Sequence, residues 1–206
     1  MAPNPRPIPR FIADSTQEGI PHGRFAERLE MEFRAAWKAV EARPDIGEDT
    51  ELEWHPERAW GGRVWVPCTA RAAGAEGAIE IFGHISYVQQ EGEPTDFHAV
   101  ADFTDILAED NPGWKIDLND EVIGRWRGEN GRAGAVTLVW GRPLVKGAVA
   151  ATAELDGETV DQELVSNDRF TLLALDALEG YGDEIFVQVK LWNRRAQELA
   201  SESLYA

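Results

Sequence analysis

At 206 residues, with 43% hydrophobic and 28% charged content, 8 Trp and 8 Phe, the chain has the composition of a folded globular protein and can bury a core without metals or disulfides. A formal net charge of -17 with no Lys/Arg-rich run opposes a phosphate backbone, and no segment approaches 18 apolar residues, so neither nucleic acid nor a membrane is expected as a partner. The single cysteine, Cys68, excludes an intrachain disulfide and a cysteine-rich zinc motif.

The acidity is uneven. Residues 1–42 hold six basic against six acidic side chains, 43–110 four against fifteen, and 111–206 ten against sixteen. A solvated acidic face, or one that meets a basic partner, is expected in the middle third.

Prolines at 3, 5, 7 and 9 make residues 1–12 a flexible arm of extended or polyproline character. The opening stretch lacks an apolar run of the signal-peptide type, and a cytoplasmic location is expected. In "HGRFAERLEMEFRAAWKAVEAR", Phe25, Leu29, Phe33, Trp37 and Val40 draw one apolar stripe at spacings of four and three. That period predicts an amphipathic helix of about five or six turns, closed by Pro44, which disfavours helical geometry in the residue before it.

Beyond Pro44 the period falls to two. "ELEWHP", "GRVWVPCTARA", "GAIEIFGHISYVQQ" and "TDFHAVADFT" read as four strands of an antiparallel meander, separated by "ERAWGG", "AGAEG" and "EGEP". "DILAEDNPGWKIDLNDE", residues 105–121, reads as a linker. After it, Asn130-Gly131 and Asp156-Gly157 suit two-residue hairpin turns. With "RFTLLALD", "EIFVQVKLW" and "QELASESLY" they complete about seven short strands, the count expected of an immunoglobulin-like β-sandwich. In "EIFVQVKLW", Ile185, Val187, Val189 and Leu191 share one face. The fold class expected is α+β and mainly β: an arm over 1–12, a helix packed on an antiparallel meander over 13–105, and an immunoglobulin-like sandwich over 106–206.

Several chemistries lose their support on inspection. The chain has no G-x-x-x-x-G-K-[ST], G-x-G-x-x-G after a strand, H-E-x-x-H, G-x-S-x-G or C-x-x-C. An EF-hand count from Asp117 places Val122 and Gly128 where Gly and Glu are required, so that loop fails as well. No motif assigns the chain to a family, and no cofactor or metal is expected.

Two histidines stand out. If the hairpin turns at Gly92 or one residue earlier, positions summing to about 182 oppose each other. His84 then meets His98, Phe82 meets Val100, Ser86 meets Asp96 and Glu80 meets Asp102. Opposed Cβ atoms lie about 5 Å apart, within reach of shared proton chemistry among His84, His98 and Asp102. The opposite face, with Ile79, Ile81, Ile85, Tyr87, Phe97 and Phe103, is the more apolar, so the histidine face is expected to be the wet one.

Cys68 aligns with Val64, Val66 and Ala70 and behaves as a small core hydrophobe, with His55 a base for it only through tertiary proximity. Arg125, Arg127, Arg132, Arg142 and Lys146 cluster around the first sandwich hairpin, where pairing with the chain's own carboxylates is expected. Trp54, Trp60 and Trp65 are candidates to line a ligand groove. These readings favour a soluble, non-catalytic binding or protein-interaction protein whose ligand, partner and oligomeric state stay open. The alternative is a small-molecule hydrolase or isomerase that uses His84 or His98 as base, with Asp102 or Asp96 as orienting carboxylate, in a helix–sheet pocket.

Overall fold

The computed structural model describes residues 21–41, 43–44, 50–74, 77–127, 133–155, 157–175 and 187–204, so the 1–12 arm, Asn130-Gly131 and Ile185 lie outside the described residues. The expected helix is present as α1, Gly23–Ala39. Its Leu29, Phe33 and Trp37 are buried, and it ends where Val40 turns to extended geometry (φ -67°, ψ 128°).

Helix α1 covers one face of an antiparallel sheet, sheet A. Its strands are β1 (Glu53–Trp54), β2 (Arg58–Trp60), β3 (Arg63–Gly74), β4 (Gly77–Gln90) and β5 (Glu93–Thr104), in the order β1-β3-β4-β5 with β2 also on β3. The expected meander is therefore there with one strand more. "ERAWGG", read as a turn, contains β2, because Gly61 (φ +62°) and Gly62 (φ +77°) close a two-residue hairpin that pairs Trp60 with Arg63. Val66, Cys68, Ala70, Ile79, Ile81, Ile85 and Tyr87 form one cluster with the helix stripe. Trp37 meets Phe103 edge-on at 5.8 Å between ring centroids.

Sheet B has the order β10-β7-β6, from β6 (Ile116–Arg127), β7 (Ala133–Pro143) and β10 (Phe170–Leu175). Sheet C has the order β12-β11-β8-β9, from β8 (Ala150–Leu155), β9 (Glu158–Leu164), β11 (Gln188–Trp192) and β12 (Glu198–Ser203). The two share one core that includes Val139, Phe170 and Leu172 from sheet B and Ala153, Val189 and Leu191 from sheet C. Leu155 pairs with Glu158, so the second expected hairpin has a two-residue connection, with Gly157 at φ +79°.

The 105–121 segment is only partly a linker. A short 3-10 turn spans Ala108–Asp110, and β6 begins at Ile116. Ile116 and Leu118 enter the sheet B/C core, while Asp117 and Asn119 point to the other face of sheet B. The acidic composition that reads as loop is the polar half of a strand.

That other face is covered by sheet A. Trp60, Trp65 and Phe82 of sheet A pack with Ile123, Leu138, Trp140 and Leu173 of sheet B. A Cβ built on Gly124 would lie 2.5 Å from the Trp60 ring, so only glycine leaves this indole its seat. The layers run α1, sheet A, sheet B, sheet C, and the faces of A and B away from their main cores form a shared seam.

Because Phe33 is 1% exposed beneath this stack, Phe33→Ala is expected to lower unfolding free energy by about 3–5 kcal/mol. Met31→Ala, on the outer helix face at 53% exposure, should change it by less than about 0.5 kcal/mol. Denaturant titration of the two variants against wild type checks both.

Candidate functional site

The His84 register differs from the sequence expectation in a definite way. Glu91 and Gly92 form the turn, with Gln90 opposite Glu93, and Tyr87 then falls at an irregularity where the register slips between Ser86 and Val88. Asp96, in a positive-φ conformation (+51°), supplies the extra residue. His84 therefore opposes Val100, Ser86 opposes His98, Phe82 opposes Asp102 and Glu80 opposes Thr104. The slip keeps His84, His98 and Asp102 on one face but moves each one pair along from the partner expected.

Nor is that face the wet one. His84 is 3% exposed in the seam with sheet B, its ring 5.2 Å from that of Trp65, and Nδ1 has no hydrogen-bond partner. Burial lowers its pKa from 6.5 to about 4, with His98 adding to the shift. His98 and Asp102 lie on the exposed β5 rim instead, where Asp102 Oδ1 accepts the Phe103 backbone N–H at 2.8 Å. Asp96 is also at the surface and pairs with Arg63 at 2.6 Å. One imidazole is sealed and its companions face water.

The tryptophans divide in the same way. Trp54 packs on the helix side of sheet A, whereas Trp60 and Trp65 are in the seam, where Trp65 Nε1–H donates to the Trp60 carbonyl at 3.1 Å. They do not line a single groove. Cys68 lies in the helix–sheet core with its thiol pKa raised well above the ordinary value by burial, while neighbouring His55 projects from the opposite face.

The groups that do converge are polar side chains of the seam. A cleft there is lined by Glu53, His55, Thr69, Arg71, Glu80 and Asp117, among others, and leaves 20 Å³, about the space of one water molecule. Arg71 lies 3.0 Å from Glu80, 3.1 Å from Glu109 and 3.5 Å from Asp117. Arg142 lies 3.2 Å from Asp117 and 3.5 Å from Glu109, as its expected pairing with the chain's own carboxylates requires. Glu80 Oε1 accepts from Asn119 at 3.0 Å, and Arg169 reaches Glu53 at 2.7 Å. Burial raises the Glu80 pKa, against the Asn119 hydrogen bond and the two guanidinium groups.

His55 belongs to this cleft. Its Nε2 lies 3.3 Å from Thr69 Oγ1, and it is 2% exposed. Desolvation first, then the positive charge of Arg169, lowers its pKa to about 3. The Phe170 and Gly141 carbonyls oppose that shift, but Nδ1 makes no aligned hydrogen bond. A second clamp lies further along the seam, where Arg58 of β2 reaches β9, pairing with Glu163 and, at 2.6 Å, with Asp161. Asp161 Oδ2 also accepts the Leu173 N–H of β10 at 2.7 Å.

Sequence reasoning missed Arg58, Arg71 and Asp117 as interlayer groups. Part of the signal is in the sequence, since Arg71 and Glu80 are charged residues inside otherwise apolar stretches of β3 and β4. Among the described residues no group of three or more His, Cys, Asp and Glu side chains has metal-binding geometry. No helix among the described residues is long and apolar enough to cross a membrane. No family model, curated protein or solved structure matches the chain.

The buried histidines set a pH dependence. Unfolded imidazoles take up protons near 6.5, but folded His55 and His84 do so only near 3 and 4. The unfolded state binds more protons between those values, so the stability present above 6.5 is lost as pH falls. Glu80 and Asp161, raised by burial, act with the opposite sign: what they add is present at low pH and lost as pH rises through their raised values. Between pH 7.5 and 5.5 each histidine contributes a slope approaching about 1.4 kcal/mol per pH unit where it responds fully. Urea titrations across that window should show this fall in wild type and a flatter profile in a His55→Gln/His84→Gln variant.

Proposed function

We propose that the chain is a non-catalytic binding or protein-interaction protein, built from a helix-and-sheet unit over 13–105 and an immunoglobulin-like sandwich over 106–206. The sandwich reading is supported by strand order. Counting from β6, the first, second and fifth strands share one sheet, and the third, fourth, sixth and seventh share the other. That division agrees with the two sheets of an immunoglobulin-like domain except for the fourth strand, which pairs with the third instead of joining the first, second and fifth, and it supports the reading. A cytoplasmic location is part of the same reading, supported by a free Cys68 held in the core.

The observation that carries the binding reading is the separation of the candidate catalytic groups. His84 is sealed in the seam, whereas His98 and Asp102 are exposed on β5. A general base and its orienting carboxylate must act on one bound molecule, and here His84 is buried while His98 and Asp102 face water. Exposed carboxylates of the middle third, such as Glu91, Glu93, Asp105 and Asp110, support a surface that meets a basic partner, while the seam holds the two halves in one orientation.

The hydrolase or isomerase alternative finds its support at the His55 cleft, where a neutral imidazole lies near a carboxyl group of raised pKa. The cleft admits a water but no carbon substrate unless the layers part.

A panel of ester, amide and epimerisable substrates tests the proposal. Wild type and a His84→Ala/His98→Ala/Asp102→Ala variant should both match the uncatalysed rate, and metal analysis of the two should agree. Turnover by wild type that the triple variant loses by tenfold or more would overturn it, and turnover lost only in His55→Ala would transfer the chemistry to the cleft.

A further inference from the structure

Strand β5 ends sheet A, and among the described residues its main chain pairs only with β4. The Phe103 N–H is taken by its own Asp102 carboxylate, at 2.8 Å, rather than by β4. In an antiparallel strand, successive residues direct their N–H and C=O groups alternately to the two sides. Phe97, Ala99, Ala101 and Phe103 are therefore the residues whose main-chain groups face away from the sheet. Their side chains lie on the helix side, partly buried against its core. Upstream, Pro94 and the bulge at Asp96, which Arg63 holds, close off the edge. The open template runs from Phe97 to Thr104.

We infer that this edge binds a second copy of the chain, β5 against β5, in an antiparallel register centred on Val100. The sequence of the edge is self-complementary about that residue. With the two-fold axis at Val100, His98 opposes the partner's Asp102, Asp102 opposes the partner's His98, and Val100 opposes its own copy. On the other face, Phe97 opposes the partner's Phe103 and Ala99 opposes the partner's Ala101. Pairs of these kinds, an imidazole with a carboxylate and an aromatic with an aromatic, are the ones that stabilise antiparallel neighbours. The two outward-facing pairs 97/103 and 99/101, with their symmetry mates, meet as hydrogen-bonded pairs, and the Asp102 carboxylate exchanges the Phe103 backbone N–H for the partner's imidazole.

Neighbouring registers lack this match. Centred on Ala99, the edge sets Asp96 against the partner's Asp102, two like charges face to face. Centred on Ala101, it sets Asp102 against the partner's Val100 and His98 against the partner's Thr104. Only the Val100 register satisfies both faces, and it is isologous, so the assembly closes at two copies.

The proposal depends on reading the chain as an interaction protein for its meaning, though not for its test. A monomer that engages another protein would end the dimer and leave that reading intact, and a dimer that also turns over substrate would do the reverse.

Sedimentation equilibrium of the full chain, at about 0.15 M salt to screen the -17 charge of each copy, is expected to show a monomer–dimer equilibrium. His98→Asp replaces two favourable pairs with two Asp/Asp pairs and should weaken dimerisation by tenfold or more. His98→Asp/Asp102→His exchanges the pair and should restore it. Ala101→Pro removes an outward N–H without touching the β4 ladder and should give monomer with an unchanged circular dichroism spectrum. Wild type that stays monomeric at about 0.1 mM, a dimer that survives Ala101→Pro, or a double exchange that fails to recover what His98→Asp loses, would each overturn the proposal.

Discussion

Sheet A is covered on both faces, and that single constraint organises the rest of the molecule. One face is apolar and receives helix α1. The other meets sheet B through Trp60, Trp65, Phe82 and Trp140, and also through polar groups: Arg71 with Asp117 and Asn119 with Glu80, while Arg58 reaches past sheet B to Asp161 and Glu163 of sheet C. Taking such groups out of water is costly, and their mutual attraction offsets that cost only where geometry is good. The seam is thus a weaker source of net stability than its contacts suggest. It is a source of orientation, because sliding one sheet by a residue would part Arg71 from Asp117 and Asn119 from Glu80 in a buried setting.

The same seam accounts for the state of the histidines. An imidazole in water titrates near neutrality, but one enclosed by tryptophan or beside a fixed guanidinium is held neutral. His84 is held so by burial against Trp65, and His55 by burial first, with the charge of Arg169 adding to it. A neutral histidine with a lowered pKa can mark a catalytic base, yet a packed seam produces the same shift by desolvation alone. What distinguishes the two is access, and His84 has almost none.

Much of the fold was legible in the sequence because it was written in periodicity. The four-residue spacing of Phe25, Leu29, Phe33 and Trp37 gave the helix and its buried stripe, and alternation in β4 separated Ile81 and Ile85 from Phe82 and His84 correctly. What alternation does not carry is the identity of the layer above a face. A polar face usually meets water, but here it meets the polar face of another sheet, so alternation alone places His84 in solvent. For the same reason the first half of β6, Ile116–Glu121, falls in the stretch that reads as a linker: Asp117 and Asn119 are polar because they face Arg71, Arg142 and Glu80, not because they turn. The register of β5 escaped for a smaller reason, a bulge at Asp96, in a residue type able to adopt positive φ without being glycine.

Sequence distance explains why the candidate site was the least legible part. Helix α1 and sheet A lie within residues 23–104, and sheets B and C within 116–203, so each unit can be inferred from its own pattern. The seam joins residues far apart along the chain: Arg58 to Asp161, and Glu53 to Arg169. Such contacts close only after both units have their shape, since the loop entropy they cost must be met by faces already aligned. Separating the halves would expose Trp65 and Trp140 and leave Glu80, Asp117 and Asp161 without their cross-layer partners, so neither face of the seam is a finished surface without the other.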